Sequence, residues 1–263
     1  MKISIIIPIL NEANTIGRLL QCVADSSSKE NIEEVIVVDG GSVDGSQEIV
    51  KNFVTSNVFS ERREEKKYRE GMGLDTALPS SNATRPPDIK LFSSKKGRAK
   101  QMNTGAKAAS APILYFLHAD SLPPKDFDRS ILEAIKDDAC AGCFRMKFDS
   151  KHPVLRFSQW FTRFNVRGCR GGDQSLFIKR SLFETLNGFD ESYMVYEDCE
   201  FIGRLYDVGT FRVLPDYVTT SARKYRKNGA WTLQYHFTVI HLKKFFGASP
   251  EALFDYYSKN IAS

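Results

Sequence analysis

The residues best placed to do chemistry in this 263-residue chain are the polar ones standing directly behind apolar runs, because ligands of open parallel sheets sit beyond the carboxyl ends of the strands. Asn11-Glu12, Asp39, Arg98 and His118-Ala119-Asp120 all hold such positions. An acid placed like Asp39 accepts hydrogen bonds from a ribose or a base, although Asp before Gly40-Gly41 is equally good turn chemistry. The Asp120 carboxylate suits a hard divalent cation that also holds two phosphate oxygens, and such a cation offsets the charge on a departing nucleoside diphosphate. Capping of the next helix is the plainer reading of a single Asp there, and His118 is either a further ligand or a structural neighbour. Glu197-Asp198 comes after the turn Gly188-Phe189-Asp190-Glu191 and opens a helix. That position stabilises an anion and lets one carboxylate take a proton from an incoming hydroxyl, although capping explains either acid taken singly.

The residues behind the first apolar run exclude some chemistries. A dinucleotide-binding domain needs a G-x-G-x-x-G turn there, whereas this chain has Pro8-Ile9-Leu10-Asn11-Glu12, and it has no G-x-x-x-x-G-K-[ST] loop elsewhere. Hydride-transfer enzymes and P-loop hydrolases are therefore set aside.

The elements that must position these residues alternate. Ile3 to Ile9 is a nearly continuous apolar, β-branched run, the pattern of a strand covered on both faces. Ile16, Leu19, Leu20 and Val23 then fall at helical spacing behind Asn14 as N-cap. Val35 to Val38 is a second strand, and a helix carrying Ile49, Val50 and Phe53 comes after it. This order implies a right-handed parallel α/β sheet. A charged run from Glu61 to Glu70 and a Gly, Ser and Pro-rich stretch to Pro86-Pro87 read as a mobile surface insertion over 55–89. The pattern resumes with a strand at Lys90 to Phe92, an Ala-rich helix from Arg98 to Ala109 and a buried strand from Ile113 to Leu117. A helix around Ile131 and Ile135, a strand over Cys143 to Phe148, an aromatic helix from Val154 to Phe164, a glycine-rich turn at 168–172 and a strand at Leu176 to Ile178 come next. Two late strands are expected, near Val213 and over Val218 to Ala222. Residues 1–229 thus read as one catalytic domain, with 230–263 as a helical extension packed on it.

Composition narrows the class. A formal charge of +5, with both signs interspersed, demands no nucleic-acid partner and suits anionic ligands. Five cysteines, an odd number, fit a reducing compartment, so a cytoplasmic location is expected, with the inner face of a membrane as a variant. No apolar run reaches spanning length, and Met1 to Leu10 is too short and uncharged for a signal peptide. Asn82-Ala83-Thr84 has the spacing of a glycosylation acceptor but is discarded in that compartment. Cys140 and Cys143 read as core packing, since no second pair accompanies them. Phe157, Trp160, Phe161 and Phe164 have helical spacing and are expected to pack internally. The tail from Trp231 to Phe246 is expected to pack on the catalytic domain, with peripheral membrane docking as the other use of its aromatic and lysine residues.

Six segments in order, IIIPILNEA (5–13), VVDGGSVDGS (37–46), KGRAKQMNTGA (96–106), YFLHADSLPP (115–124), GGDQSLFIKRSLFETLNGFDE (171–191) and YEDCEFIGRL (196–205), resemble the family 2 inverting glycosyltransferases of GT-A fold. Within them the chain is similar to a compact subgroup labelled transferase 2, associated with radical-SAM and selenium-related neighbours. The resemblance implies a nucleotide-diphospho-sugar transferase fold with a mostly parallel central sheet, and a nucleotide-sugar donor, UDP-linked by default. It implies that Pro8, Leu10, Glu12 and Asp39 line the nucleoside pocket and that Arg98 lies close to the nucleotide. Asp120 becomes the acid that binds Mn²⁺ or Mg²⁺ in a degenerate D-x-D motif, with His118 where many relatives carry the first Asp. Asp198 becomes the general base with Glu197 its neighbour, and Asp173 and Gln174 border the acceptor. Arg223, with Lys224 and Arg226, is a candidate to close over the phosphates. The competing readings are a sugar nucleotidyltransferase, which typically carries a Gly-rich basic N-terminal loop, and a noncatalytic nucleotide- or membrane-surface-binding protein of the same fold.

Overall fold

The computed structural model describes residues 1–55 and 87–261. The expected insertion, its charged run and Asn82 fall almost wholly outside the described residues. Strand β1 (Ile3–Ile9) is buried along its whole length and pairs in parallel with both β2 (Ile32–Asp39) and β4 (Ile113–Phe116), while β3 (Asp88–Ser93) extends the sheet beyond β2. Alternation along β1 explains its nearly continuous apolar run, which only Ser4 interrupts. Ile3, Ile5, Ile7 and Ile9 face helix α1 (Ile16–Ser26) and helix α4 (Phe127–Lys136), in one core with Leu19, Leu20, Val23 and Ile131. Ile6 faces the opposite layer with Met102 and Ala106 of α3 (Arg98–Ala108) and Phe201 and Leu205 of α7 (Glu197–Val208). With both faces covered, both sets of side chains are apolar apart from Ser4, which is buried with its hydroxyl donating to Glu34. Helix α2 spans residues 46–55. Gly105 lets α3 lie close on β1, since a Cβ there would stand 2.5 Å from the Ile6 side chain.

The described sheet has eight strands in the order β3-β2-β1-β4-β7-β6-β8-β5. Four of its seven pairings are parallel; β7 (Leu176–Lys179) runs against both β4 and β6 (Ala141–Phe148), and the short β5 (Ser121–Leu122) runs against β8 (Phe211–Thr220). Strand order reverses between β1 and β4, which opens a crevice beyond their carboxyl ends, next to Asp39 and His118.

Three expectations are corrected. The two late strands are one: β8 keeps its pairing with β6 across a break in register between Phe144–Leu214 and Arg145–Tyr217. Pro215 lies in that break, where its lack of an N–H makes a bulge the accommodating geometry. Helix α1 begins at Ile16 with Thr15, not Asn14, at the cap position. The aromatic helix, α5 (Pro153–Phe161), buries Val154 and Leu155 instead of its rings, and Phe157, Trp160, Phe161 and the following Phe164 are exposed.

After β7 comes the short helix α6 (Arg180–Thr185). Three helices close the chain: α8 (Arg223–Asn228), α9 (Ala230–Phe245) and α10 (Pro250–Asn260). Leu233, Ile240 and Leu253 form a separate core with Tyr193 and Val195, so these helices brace the segment that leads into α7. No helix among the described residues is long and apolar enough to cross a membrane.

Candidate active site

The loops after β1 and β2 are laced together by side chains in place of a glycine cradle. The Asn11 N–H donates to Ser42 Oγ (2.9 Å), the Glu12 N–H to Ser46 Oγ (2.8 Å) and the Ala13 N–H to Asp44 Oδ2 (2.9 Å), while Asn11 Oδ1 accepts from the Val43 N–H. Asp39 is buried at the end of β2 and accepts from the Gly41 and Ser42 N–H groups and from Gln47 Nε2 at 2.8 Å. Burial opposes its charge, but these donors outweigh burial and hold the carboxyl below its usual range. Asp39 therefore does build the turn, and its Oδ1, which accepts only from Ser42, keeps capacity for a further donor. Pro8 is buried inside β1 opposite Val38, and Leu10 is partly exposed just beyond the strand. Glu12 accepts from the Thr15 hydroxyl and from Arg223 Nη2, an ion pair between residues far apart in sequence. The same Arg223 nitrogen stands 3.5 Å from Asp120 Oδ2, so one guanidinium spans two expected site acids.

A second group of charges lies beside the end of β4. His118 is buried there, its Nε2 3.5 Å from Asp198 Oδ2 and its Nδ1 3.6 Å from Asp173 Oδ1. Arg98, the first residue of α3, places Nε 2.7 Å from Glu197 Oε1 and Nη1 3.4 Å from Asp198 Oδ2. Burial and the nearby Arg98 push the His118 pKa down, but Asp198 and Asp173 prevail and raise it to about 9. Asp198 shows the converse: burial works against its charge, and His118, with help from Arg98, more than compensates, so the carboxyl is held below its usual value. Glu197, only 1 % exposed, is pushed up by burial, which Arg98 offsets only in part. Both acids open α7, where unpaired N–H groups favour negative charge, and a left-handed Tyr196 (φ 73°) turns the chain into that helix.

Gly172 makes this cluster possible. A Cβ at that position would lie 2.0 Å from Asp198 Oδ2 and 2.6 Å from His118 Cε1, so the loop before β7 approaches the carboxylate more closely than any side chain permits. Its neighbour Asp173 is half exposed and faces His118. Gln174, expected at the acceptor, is turned inward instead: its Oε1 accepts from the buried Arg170 and its Nε2 donates to the Cys169 carbonyl. Arg98, expected near the nucleotide, makes its ion pairs with the two α7 acids. Sequence reading missed the bridging place of Arg223, for which no local signal exists, and the need for Gly172, whose only signal is the Gly171-Gly172 pair before Asp173.

The Asp120 carboxylate accepts no hydrogen bond among the described residues, and Arg223 at 3.5 Å is its ion-pair partner. Its carboxyl is raised by burial first and then by the charge of Asp173, with His118 and Arg223 working the other way, and a cation beside it would favour the charged form. Among the described residues no three His, Cys, Asp or Glu side chains converge as a closed metal cage. A lone hard carboxylate of this kind fits a cation that takes its other oxygens from phosphates and water.

A cleft beyond β1, β2 and β4, with paired acids on the helix that faces it, is the architecture of a GT-A glycosyltransferase domain. The model of Glycosyl transferase family 2 matches residues 4–78 and 77–188, and the chain belongs to that family. Two curated relatives are the probable glycosyltransferase YdaM of Bacillus subtilis, 25% identical over 83% of this chain, and the glycosyltransferase AglE of Haloferax volcanii, 30% identical over 79%. The chain spans 50% and 62% of their respective lengths. Among solved structures, S. aureus TarS 1-349 in complex with UDP-GlcNAc is similar with a TM-score of 0.62 at 21% identity, over 84% of this chain and 58% of that one. The mannosyltransferase PcManGT from Pyrobaculum calidifontis in complex with GDP-Man and Mn²⁺ gives 0.61 at 19% identity, over 97% and 69%. At such identities the likeness establishes the fold.

Proposed function

We propose that this chain transfers a sugar from a nucleoside diphosphate, UDP by preference, to an acceptor hydroxyl in a single displacement that inverts the anomeric centre. The observation that carries the reading is Asp198: a buried carboxylate at a helix N-terminus, held ionised by His118 and Arg98, with the Gly172 backbone packed directly against it. Asp198 accepts the acceptor's proton, the freed oxygen bonds to the anomeric carbon, and the bond from that carbon to the diphosphate oxygen breaks with its electron pair. The His118 imidazolium and Arg98 hold the base in place, and Asp173 orients acceptor hydroxyls. Asp39 and Glu12 receive the nucleoside, and Arg223 exchanges its contacts with Glu12 and Asp120 for the leaving phosphates. Asp120 holds a divalent cation, Mn²⁺ or Mg²⁺, which when bound supplies charge stabilisation to the diphosphate. Solved structures of this fold in complex with UDP-GlcNAc and with GDP-Man and Mn²⁺ support a nucleotide-sugar donor of this kind.

Calorimetric titration of UDP and GDP, with and without Mn²⁺, tests the donor side. UDP binding that strengthens with Mn²⁺ and loses that gain in Asp120→Ala is expected; equal binding in the variant removes Asp120 from the cation site. For the base, Asp198→Asn lowers kcat by about 100-fold or more while nucleotide affinity holds. Full turnover in that variant would reject the assignment.

A further inference from the structure

Two acid-free stretches of the chain are rich in basic side chains. Residues 151–170 carry Lys151, Arg156, Arg163, Arg167 and Arg170, and residues 217–250 carry six more lysines and arginines. With a formal charge of +5 for the whole chain, the residues outside these two stretches are net negative taken together, and every one of these basic side chains except the buried Arg170 is at least partly exposed. The two are joined in space: Leu155 of α5 packs with Phe148, Ala222 and Tyr225, and the Tyr225 ring meets Phe237 of α9.

The same stretches expose their largest apolar side chains. Phe157 is 66 % exposed and packs edge-on to Phe161 at 5.0 Å, Trp160 lies 4.9 Å from Phe164, and Arg163 sits over the Trp160 ring at 5.0 Å. On α9, Trp231, Tyr235, Leu242 and Phe245 recur at helical spacing along one outward face, and Phe245 and Phe246 are 82 % and 81 % exposed beside Lys243 and Lys244. The buried face of α9, Leu233 and Ile240, is already satisfied by its packing against Tyr193 and Val195. Exposed rings edged by basic side chains, on helices too short and too polar to span, match the chemistry of the interface of an anionic bilayer: rings enter the headgroup boundary while guanidinium and ammonium groups pair with phosphates.

We infer that α5, with the segment through Val166, and α9 form a docking surface for an anionic lipid bilayer. The surface adjoins the site at both ends. The α5 segment runs on into Gly172 and Asp173, and α8, which leads into α9, carries Arg223 against Glu12 and Asp120. Docking therefore presents the mouth of the cleft to acceptors held at a membrane surface. Binding to the bilayer does not depend on the proposed reaction.

The test is flotation of the purified chain with vesicles of phosphatidylcholine alone and with about one-third phosphatidylglycerol. The chain is expected to float with the anionic vesicles only and to be released as salt is raised. Each basic group lost from such a surface costs about fivefold in partitioning, so Arg163→Glu/Lys243→Glu/Lys244→Glu is expected to lower binding on the order of 100-fold or more. Trp160→Ser/Phe245→Ser/Phe246→Ser is expected to lose binding while nucleotide affinity and the thermal midpoint, measured in parallel, stay near wild type. Absence of flotation with anionic vesicles overturns the inference, as does binding that either variant leaves unchanged. So does a concentration-dependent dimer in light scattering that the serine variant dissolves, because a second copy would then be the occupant.

Discussion

Replacement of Gly172 by alanine is the most direct perturbation of the proposed base. The added methyl would start 2.0 Å from Asp198 Oδ2, about 1.4 Å inside the 3.4 Å at which ordinary contact begins, and 2.6 Å from His118 Cε1. Neither neighbour has slack. Asp198 is held by His118 and Arg98, and Arg98 is held in turn by Glu197 at 2.7 Å. Overpacking of this size costs roughly 1–3 kcal/mol of stability, and displacement of a reacting group by ~1 Å costs on the order of 100-fold in rate. Gly172→Ala is therefore expected to stay folded and to lose about 100-fold in kcat. Its nucleotide affinity should hold within about twofold, because Asp39 and Glu12 lie on the other loops. Gly171→Ala is the control: a Cβ there meets nothing within 4 Å, and its extended φ of −164° is open to any residue. Steady-state turnover together with calorimetry of the nucleotide separates the two effects. If Gly172→Ala turned over as fast as Gly171→Ala, the close approach to Asp198 would have no part in catalysis.

Two stability predictions rest on buried charges. The folded His118 pKa is raised from 6.5 to about 9, so its contribution is complete below pH 6.5 and is lost as pH rises towards 9, by at most about 3 kcal/mol. Urea unfolding of the metal-free protein should show that decline, and His118→Asn should flatten it; identical profiles would mean that the imidazolium is not held by Asp198 and Asp173. Glu34 is held at about 2 because Lys90, Ser110 and Ser4 together outweigh the opposing effect of burial, so its contribution is present above pH 4.5 and disappears as pH falls towards 2. Glu34→Gln is expected to cost about 2–3 kcal/mol at neutral pH, with the gap from wild type closing in acid; a gap independent of pH would place the cost in packing.

The alternation of strand and helix, and the position of Asp39, Arg98, His118 and Asp120 at strand ends or helix starts, were legible from the chain alone, because apolar periodicity is a local property. So were the family motifs, which carried the GT-A expectation. Local pattern also misled. The rings of α5 have helical spacing, which says that they share a face but not whether another layer covers it, and among the described residues none does. The stretches near Val213 and from Val218 read as two strands, whereas β6 alongside holds both in a single ladder across the bulge at Pro215.

What only the tertiary structure decided are the charge partners. Arg223 reaches Glu12 and Asp120, Arg98 reaches Glu197 and Asp198, and Glu34 gathers Ser4, Lys90 and Ser110. These pairs are separated by 30 to 211 positions in the sequence. A charge has no periodicity that names its partner, so pairing waits on the sheet order that carries distant loops to one end. The same holds for Gly172 and Gln174, adjacent in meaning by sequence and opposite in fact. One residue lacks a side chain because the loop before β7 presses on Asp198, and the other turns inward because the buried Arg170 guanidinium, which among the described residues has no carboxylate acceptor, takes the Gln174 oxygen as one of its partners.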